Sequence, residues 1–285
     1  MSEGARIGQG RAQLVATIII SVVILFWTLL PIYNMIIVAM EPKDAVFSGS
    51  PWPRDLTFVN FWTVFTQNFW YLSHFWRQML NSLIIALVTS VLVIAIGTIT
   101  SFAIHRLKLR FGFLLSNAAL LSYAIPLSFL AIPFYKILNT YGLLNTLWAV
   151  IIVEVTFASP YAIFIFSQYS TSIPMELDEA ARIDGATVPQ IFRRIFLPLM
   201  MPAIVAVGTY SLLLAWNEYL YAFLLLSSET EITVPVALGH FLSSDDSPWN
   251  ILMAAALVYS IPPLIIYYMT RNRMTTGMTI GGVKG

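Results

Sequence analysis

No cysteine occurs in this chain of 285 residues, so disulfides and thiolate-bound metals are excluded. Charge is scarce as well. Asp, Glu, Lys and Arg together supply 10% of the residues, where a soluble domain carries about 25%. A net charge of +1 gives no case for nucleic-acid binding. The three histidines, His74, His105 and His240, stand far apart in the sequence. None belongs to an HxxxH or HExxH pair, so no metal site is expected. The phosphate-binding pattern GxxxxGK followed by Ser or Thr is missing, so the chain is not itself an ATPase. Neither a Ser/His/Asp set nor a catalytic carboxylate pair is visible, and an enzyme acting alone is not expected. No internal repeat is evident.

What fills the chain instead is apolar surface, 58% of the residues. The lipid bilayer is the solvent this composition suits. A spanning helix needs about 20 mostly apolar residues, and six segments qualify: roughly 12–40, 79–104, 111–138, 145–169, 200–226 and 249–270. The fold class expected is therefore all-α, a single polytopic domain over 1–285 with six transmembrane helices. Glu154 and Pro160 interrupt the fourth segment. The first run, Ala12 to Met40, is far longer than the roughly 7–15 residues of a signal-peptide core, and it reads as an uncleaved first span.

Orientation follows from Lys and Arg. With the N-terminus inside, Arg6, Arg11, Arg106, Lys108, Arg110, Arg182, Arg193, Arg194, Arg271, Arg273 and Lys284 are cytoplasmic. Lys43, Arg54, Arg77 and Lys136 fall outside or near the outer boundary. The 227–248 loop, with four acids and no Lys or Arg, fits the outer side. Both termini are expected in the cytoplasm. The outer loop 41–76 is dense in Trp, Phe and Tyr, which suits an aromatic belt with a helix lying on the membrane. It suits equally a docking surface for an external partner.

One polar island of about 25 residues breaks the apolar pattern. Ser172 is a candidate N-cap, Pro174 falls in the first turn, and Glu176, Asp178 and Glu179 crowd the positive end of the helix dipole. Gly185 suits the left-handed position that ends a first short helix. Thr187-Val-Pro-Gln190 reads as a capping box, and Ile191, Phe192, Ile195 and Phe196 give the second helix an apolar face. Pro198 and Pro202 punctuate its junction with the fifth span. The residues alone fit either an amphipathic connector on the inner leaflet or a partner-docking element. A DNA-reading helix pair is a poor fit for a loop tethered between two spans with few basic residues.

The pattern Glu179-Ala180-Ala181, Asp184-Gly185-Ala186, Phe192, Ile195, Leu197-Pro198, Pro202 resembles the EAA loop of ABC-importer membrane subunits. Asn81-Ser82, Ala215-Trp216-Asn217-Glu218-Tyr219 and the terminal Gly281-Gly282-Val283-Lys284-Gly285 resemble the binding-protein-dependent carbohydrate permeases. The short first outer loop and the tail are similar to the second permease of the maltose-type pair.

The resemblance implies the type I importer permease fold in a bacterial inner membrane, with 171–199 as cytoplasmic coupling loop and 271–285 as cytoplasmic tail. It implies a second permease as heterodimer partner, two cytoplasmic ATPase subunits and an extracytoplasmic solute-binding protein. ATP and Mg would be bound by the ATPase subunits and no cofactor by this chain. Glu179, Ala180, Ala181, Asp184 and Gly185 would lie at the ATPase contact, with Gly281, Gly282 and Lys284 as a second one. The residues themselves fit a second set of readings: Glu179 paired with Arg182, Asp184 as a local polar group at the helix end, and the tail as a frayed terminus.

For the pathway, Tyr210, Leu214, Asn217 and Tyr221 recur at helical spacing. Tyrosine faces with an amide suit a sugar ring, and equally suit helix packing. Glu218 and, in the third span, Tyr123 are further pathway candidates. The cargo expected is a sugar or sugar derivative, unspecified further. The competing reading is a stand-alone secondary transporter or channel, which needs no docking loop.

Overall fold

The computed structural model describes residues 3–53, 55–121, 125–242 and 247–278; among these the chain is mostly helical and contains no strand. In chain order the helices are α1 (Glu3–Ala39), α2 (Val59–Thr66), α3 (Phe75–Arg106), α4 (Gly112–Leu121), α5 (Ala131–Thr140), α6 (Leu147–Ser170) and α7 (Glu176–Ile183). They continue with α8 (Val188–Ile191), α9 (Leu197–Leu199), α10 (Met201–Trp216), α11 (Leu220–Leu225), α12 (Val234–Phe241) and α13 (Trp249–Met278). A π-turn, Phe192–Phe196, joins α8 to α9.

Among the described residues four stretches are long and apolar enough to cross a membrane: Gln13–Ala39, Trp70–Arg106, Leu147–Ser170 and Trp249–Arg271. A fifth arises only if Val188–Leu199 and Met201–Trp216, bent by 75° against each other, count as one. Among the described residues the six continuous spans expected from hydropathy are thus not all found. Segment 111–138 is not one helix but two, α4 and α5, each of 10 residues. Each is about 15 Å long at 1.5 Å per residue, half the hydrocarbon thickness. Pro126, which lacks an N–H, stands before the 3-10 turn Leu127–Leu130 that leads into α5. Pro160, by contrast, lies inside an unbroken α6.

The chain divides into two compact units. In the first (Met1–Ser73 with Phe241–Tyr259), α1 exposes every residue from Gln13 to Asn34, with Trp27 at 79%. Buried Asn60 of α2 donates its amide N–H groups to the carbonyls of Ala39 and Glu41, at 2.9 and 2.8 Å. Its carbonyl accepts from Asn250 at 2.8 Å. Phe58, Trp62 and Phe65 point outward.

In the second unit (His74–His240 with Ser260–Gly285), α3 packs along α6 and α10. A Cβ on Gly97 of α3 would meet Phe166 Cδ2 at 2.7 Å and Ala162 Cβ at 3.0 Å, so only glycine permits this approach to α6. Ser90 of α3 donates to the Gly208 carbonyl of α10 at 2.8 Å. At the start of α3, Gln78 Nε2 donates to Glu229 O, Asn81 Nδ2 to Thr230 O and Ile232 O, and Ser82 Oγ accepts from Val234 N–H. Asn145 Oδ1 accepts from the N–H groups of Ser227 and Ser228, both at 2.9 Å. Four polar side chains thus tie down the backbone of 227–234, whose groups would otherwise lack partners.

Candidate functional site

The polar island folds as a helical hairpin against the last turn of α3. Its first helix begins at Glu176, later than Ser172 and Pro174 suggested. Ser172 is not the cap. Its hydroxyl donates back to Tyr169 O at 2.7 Å, finishing the turn after α6. The stretch Thr171–Met175 is non-helical, and the residue before Pro174 is kept out of the helical region by the proline ring.

Gly185 takes φ +82°. Its N–H donates to Arg182 O and that of Ala186 to Ala181 O, at 3.1 and 2.8 Å. These two bonds make a Schellman closure of α7, for which glycine carries no Cβ penalty. At the start of α8, Gln190 Oε1 accepts from Thr187 N–H at 2.7 Å and from Thr187 Oγ1 at 3.0 Å, the reach-back half of a capping box.

One face of this hairpin is buried. Ile173, Ile191, Phe196 and Met200 join Val93, Phe102, Ala158, Ala162, Phe166, Ala203 and Val207 in a single apolar cluster. The Phe102 ring packs edge-on against Phe192 and Phe196, each with centroids 5.1 Å away. The π-turn places both rings on the same side, as one wide turn allows.

Arg106, one helical turn beyond Phe102, does more than the sequence reading assigned to it. It was expected only as a charge marking the inner side, yet it is 3% exposed. Its Nη2 donates to Ile173 O at 3.0 Å and its Nη1 to Pro174 O at 3.3 Å. Nη1 also lies 2.9 Å from Met175 Sδ, and the guanidinium sits 5.8 Å from the Phe196 ring centre. Nε faces Asp178 Oδ2 at 3.7 Å, both side chains being buried. Asp178 was expected to serve the helix dipole. Nothing in the sequence links residues 106 and 178, and only the fold could reveal the pair.

The opposite face of α7 is open. Glu179, Ala180, Arg182, Ile183, Asp184 and Gly185 are exposed, Ile183 at 87%. Ala181 is half-buried and packs against the apolar cluster. No ion pair joins Glu179 to Arg182 among the described residues. A cavity of about 320 Å³ opens beside the hairpin, lined by Arg106, Lys108, Asp178, Glu179, Arg182 and Val188 among others.

The pathway candidates do not form one stripe. α10 ends at Trp216, and Asn217, its C-cap, turns its amide back to Leu213 O at 2.8 Å. Glu218 Oε1 accepts from Tyr221 N–H at 2.6 Å and so starts α11. Polar side chains here replace the helical ladder, which breaks the 3.6-residue register between Tyr210 and Tyr221. Tyr221 is buried between Phe134 and Phe157, with its hydroxyl donating to Leu127 O at 2.7 Å. Tyr210 is 42% exposed, its ring 4.7 Å from that of Tyr161. Glu154 is buried in α6. Tyr123, Gly281, Gly282 and Lys284 lie outside the described residues.

Comparison with known proteins adds to this geometry. The family model described as binding-protein-dependent transport system inner membrane component matches residues 94–275. The trehalose transport system permease protein SugB of Mycobacterium tuberculosis is 32% identical over 269 residues, 94% of this chain and 96% of its own. The arabinooligosaccharides transport system permease protein AraQ of Halalkalibacterium halodurans is 32% identical over 269 residues, covering 92% and 93%. The fold matches a chain of a bacterial ABC transporter involved in the import of the acidic polysaccharide alginate. That match has a TM-score of 0.76 at 21% identity and covers 95% of this chain and 98% of the other.

Proposed function

The chain belongs to the family of binding-protein-dependent transport system inner membrane components, and on that premise we propose that it is the coupling permease of an ATP-driven importer of a sugar or sugar derivative. Relatives named for trehalose and arabinooligosaccharides support the cargo class. The observation that carries the coupling role is the two-sided hairpin. Its inner face is locked to α3, while Glu179, Ala180, Ile183, Asp184 and Gly185 stand exposed. Ile183, exposed at 87%, lies three residues from exposed Ala180, and the two give α7 a small apolar spot that a partner cleft would cover.

In this reading the 171–199 hairpin is cytoplasmic, as are both termini, and α7 docks on one of two ATPase subunits that bind ATP and Mg. The 271–285 tail gives a second contact. Six crossings result if α4 and α5 together make an interrupted third span, and the bent pair closing with α10 makes the fifth. Interrupted helices are tolerated where protein or a water-filled cavity covers the freed backbone. The uncovered α1 fits a second permease, the heterodimer partner, and an extracytoplasmic binding protein delivers the sugar. Tyr210 is the better placed of the aromatic candidates to meet it, since Tyr221 is enclosed by Phe134 and Phe157.

The test is ATP-dependent uptake and ATPase co-purification in Glu179→Ala, Gly185→Pro and the double variant. Uptake should be lost, while the binding protein keeps its affinity for sugar. Unimpaired ATP-dependent uptake in the double variant would end the coupling proposal.

A further inference from the structure

Arg106 reaches every part of the hairpin's entrance. The last residue of α3 holds two backbone carbonyls of the non-helical stretch before α7, the thioether of Met175, the acid in the first turn of α7 and the ring of Phe196. We propose that this arginine is a positioning residue that makes α7 and α3 one rigid body, so that movement imposed on α7 is delivered to α3. The inference rests on the importer reading above.

The argument is mechanical. Besides the apolar packing of the hairpin on its cluster, force arriving at α7 can enter the spans by three routes. The covalent route into α6 runs through Thr171–Met175, which is non-helical and held by single-turn backbone bonds, so it is softer than a helix. The second runs through the π-turn and the 75° bend into α10. The third is the Arg106 contact, and it is the stiff one. A guanidinium is a planar fork with fixed donor directions; its two carbonyl bonds hold the chain immediately before α7 and its Nε faces Asp178 within α7 at 3.7 Å, so approach and rotation of α7 are both restrained. Ring contacts such as those of Phe102 hold the distance and allow sliding.

The joint also stiffens the weak covalent route, because its two carbonyl acceptors, Ile173 and Pro174, lie within it. From Arg106 back to Phe75, α3 runs as one helix of 32 residues, about 48 Å at the helical rise. Its far end is bound to 229–234 by Gln78, Asn81 and Ser82. A displacement at Arg106 therefore reaches the opposite end of that helix. A contiguous rigid element of this kind is one way coupling is carried between distant sites.

The lack of native cysteine makes the test direct. Nitroxide labels at Glu176→Cys on α7 and Ile99→Cys on the exposed side of α3 report their separation in the complete importer. It is read by pulsed electron paramagnetic resonance, nucleotide-free and after trapping with ATP and vanadate. With native Arg106 the separation should stay constant within about 2 Å, while Arg106→Lys, which keeps charge but loses the fork, should shift by about 5 Å on trapping. A native pair whose separation changes on trapping overturns the proposal, and so does an Arg106→Lys pair that stays fixed. Should that variant fail to reach the membrane, Asp178→Asn, which leaves the carbonyl bonds and removes the ion pair, is read by the same criterion. Failure of the label-free chain to bind ATPase subunits or trap nucleotide would instead defeat the importer reading itself.

Discussion

The two ends of α3 are held by opposite chemistries. At its start, neutral amides and hydroxyls (Gln78, Asn81 and Ser82) fasten the 229–234 backbone, with Asn145 adding two backbone bonds at Ser227 and Ser228 and one to the Ser228 hydroxyl. At its end, one guanidinium and one carboxylate, both buried, organise the hairpin over a patch of phenylalanines. The amide end shares its load among several residues, each contributing about 1 kcal/mol net. The ionic end concentrates it in one pair, whose partners are each costly to bury alone. Distributed bonding suits a segment that must stay put. Concentrated bonding suits a joint that must transmit without slack.

Removing one charge is the sharpest way to break this contrast. Arg106→Ala leaves Asp178 buried without a partner, and the chain should lose roughly 3–5 kcal/mol, read as a drop in thermal unfolding temperature in detergent. The double variant Arg106→Met/Asp178→Leu should recover most of that stability, because the penalty belongs to the unpaired acid. At the amide end, Asn145→Ala should cost about 2 kcal/mol, combining two freed N–H groups with the strain of alanine at a left-handed position. Asn145 has φ +58°, so Asn145→Gly should be the milder of the two in the same melt, which separates the bonds from the strain.

Asn81→Ala should follow at about 1–2 kcal/mol, for the carbonyls of Thr230 and Ile232 lose their donor. Faster amide hydrogen exchange should then appear in 229–234. Gly185→Ala should be smallest, about 1 kcal/mol, since a Cβ there meets nothing within 4 Å and only the φ of +82° is penalised. Its effect should be confined to protease sensitivity at 184–188.

The sequence made much of this visible and concealed a particular part. Long apolar runs located α1, α3, α6 and α13, and the glycine and capping signals placed the end of α7 and the start of α8 correctly, because those signals act within four residues. Hydropathy could not show that 111–138 is two short helices, since it averages over the turn that Pro126 introduces. The spacing of Tyr210 and Tyr221 assumed an unbroken helix, whereas Asn217 and Glu218 bond to nearby backbone and end it. The Arg106–Asp178 pair was the least legible feature. An arginine at the end of a span satisfies the positive-inside pattern whether it lies in solvent or in the protein, and its acid is 72 positions away.

The Schellman closure at Gly185 has a consequence for how such a protein can change. Because its backbone bonds and the buried side of α7 hold the hairpin together, the outward residues Glu179, Ala180, Ile183 and Asp184 contribute little to holding it in place. Substitutions there alter what the loop presents without altering whether it folds. If α7 docks as proposed, partner choice and foldability are written on opposite sides of one two-turn helix, and a lineage can revise the first while inheriting the second intact.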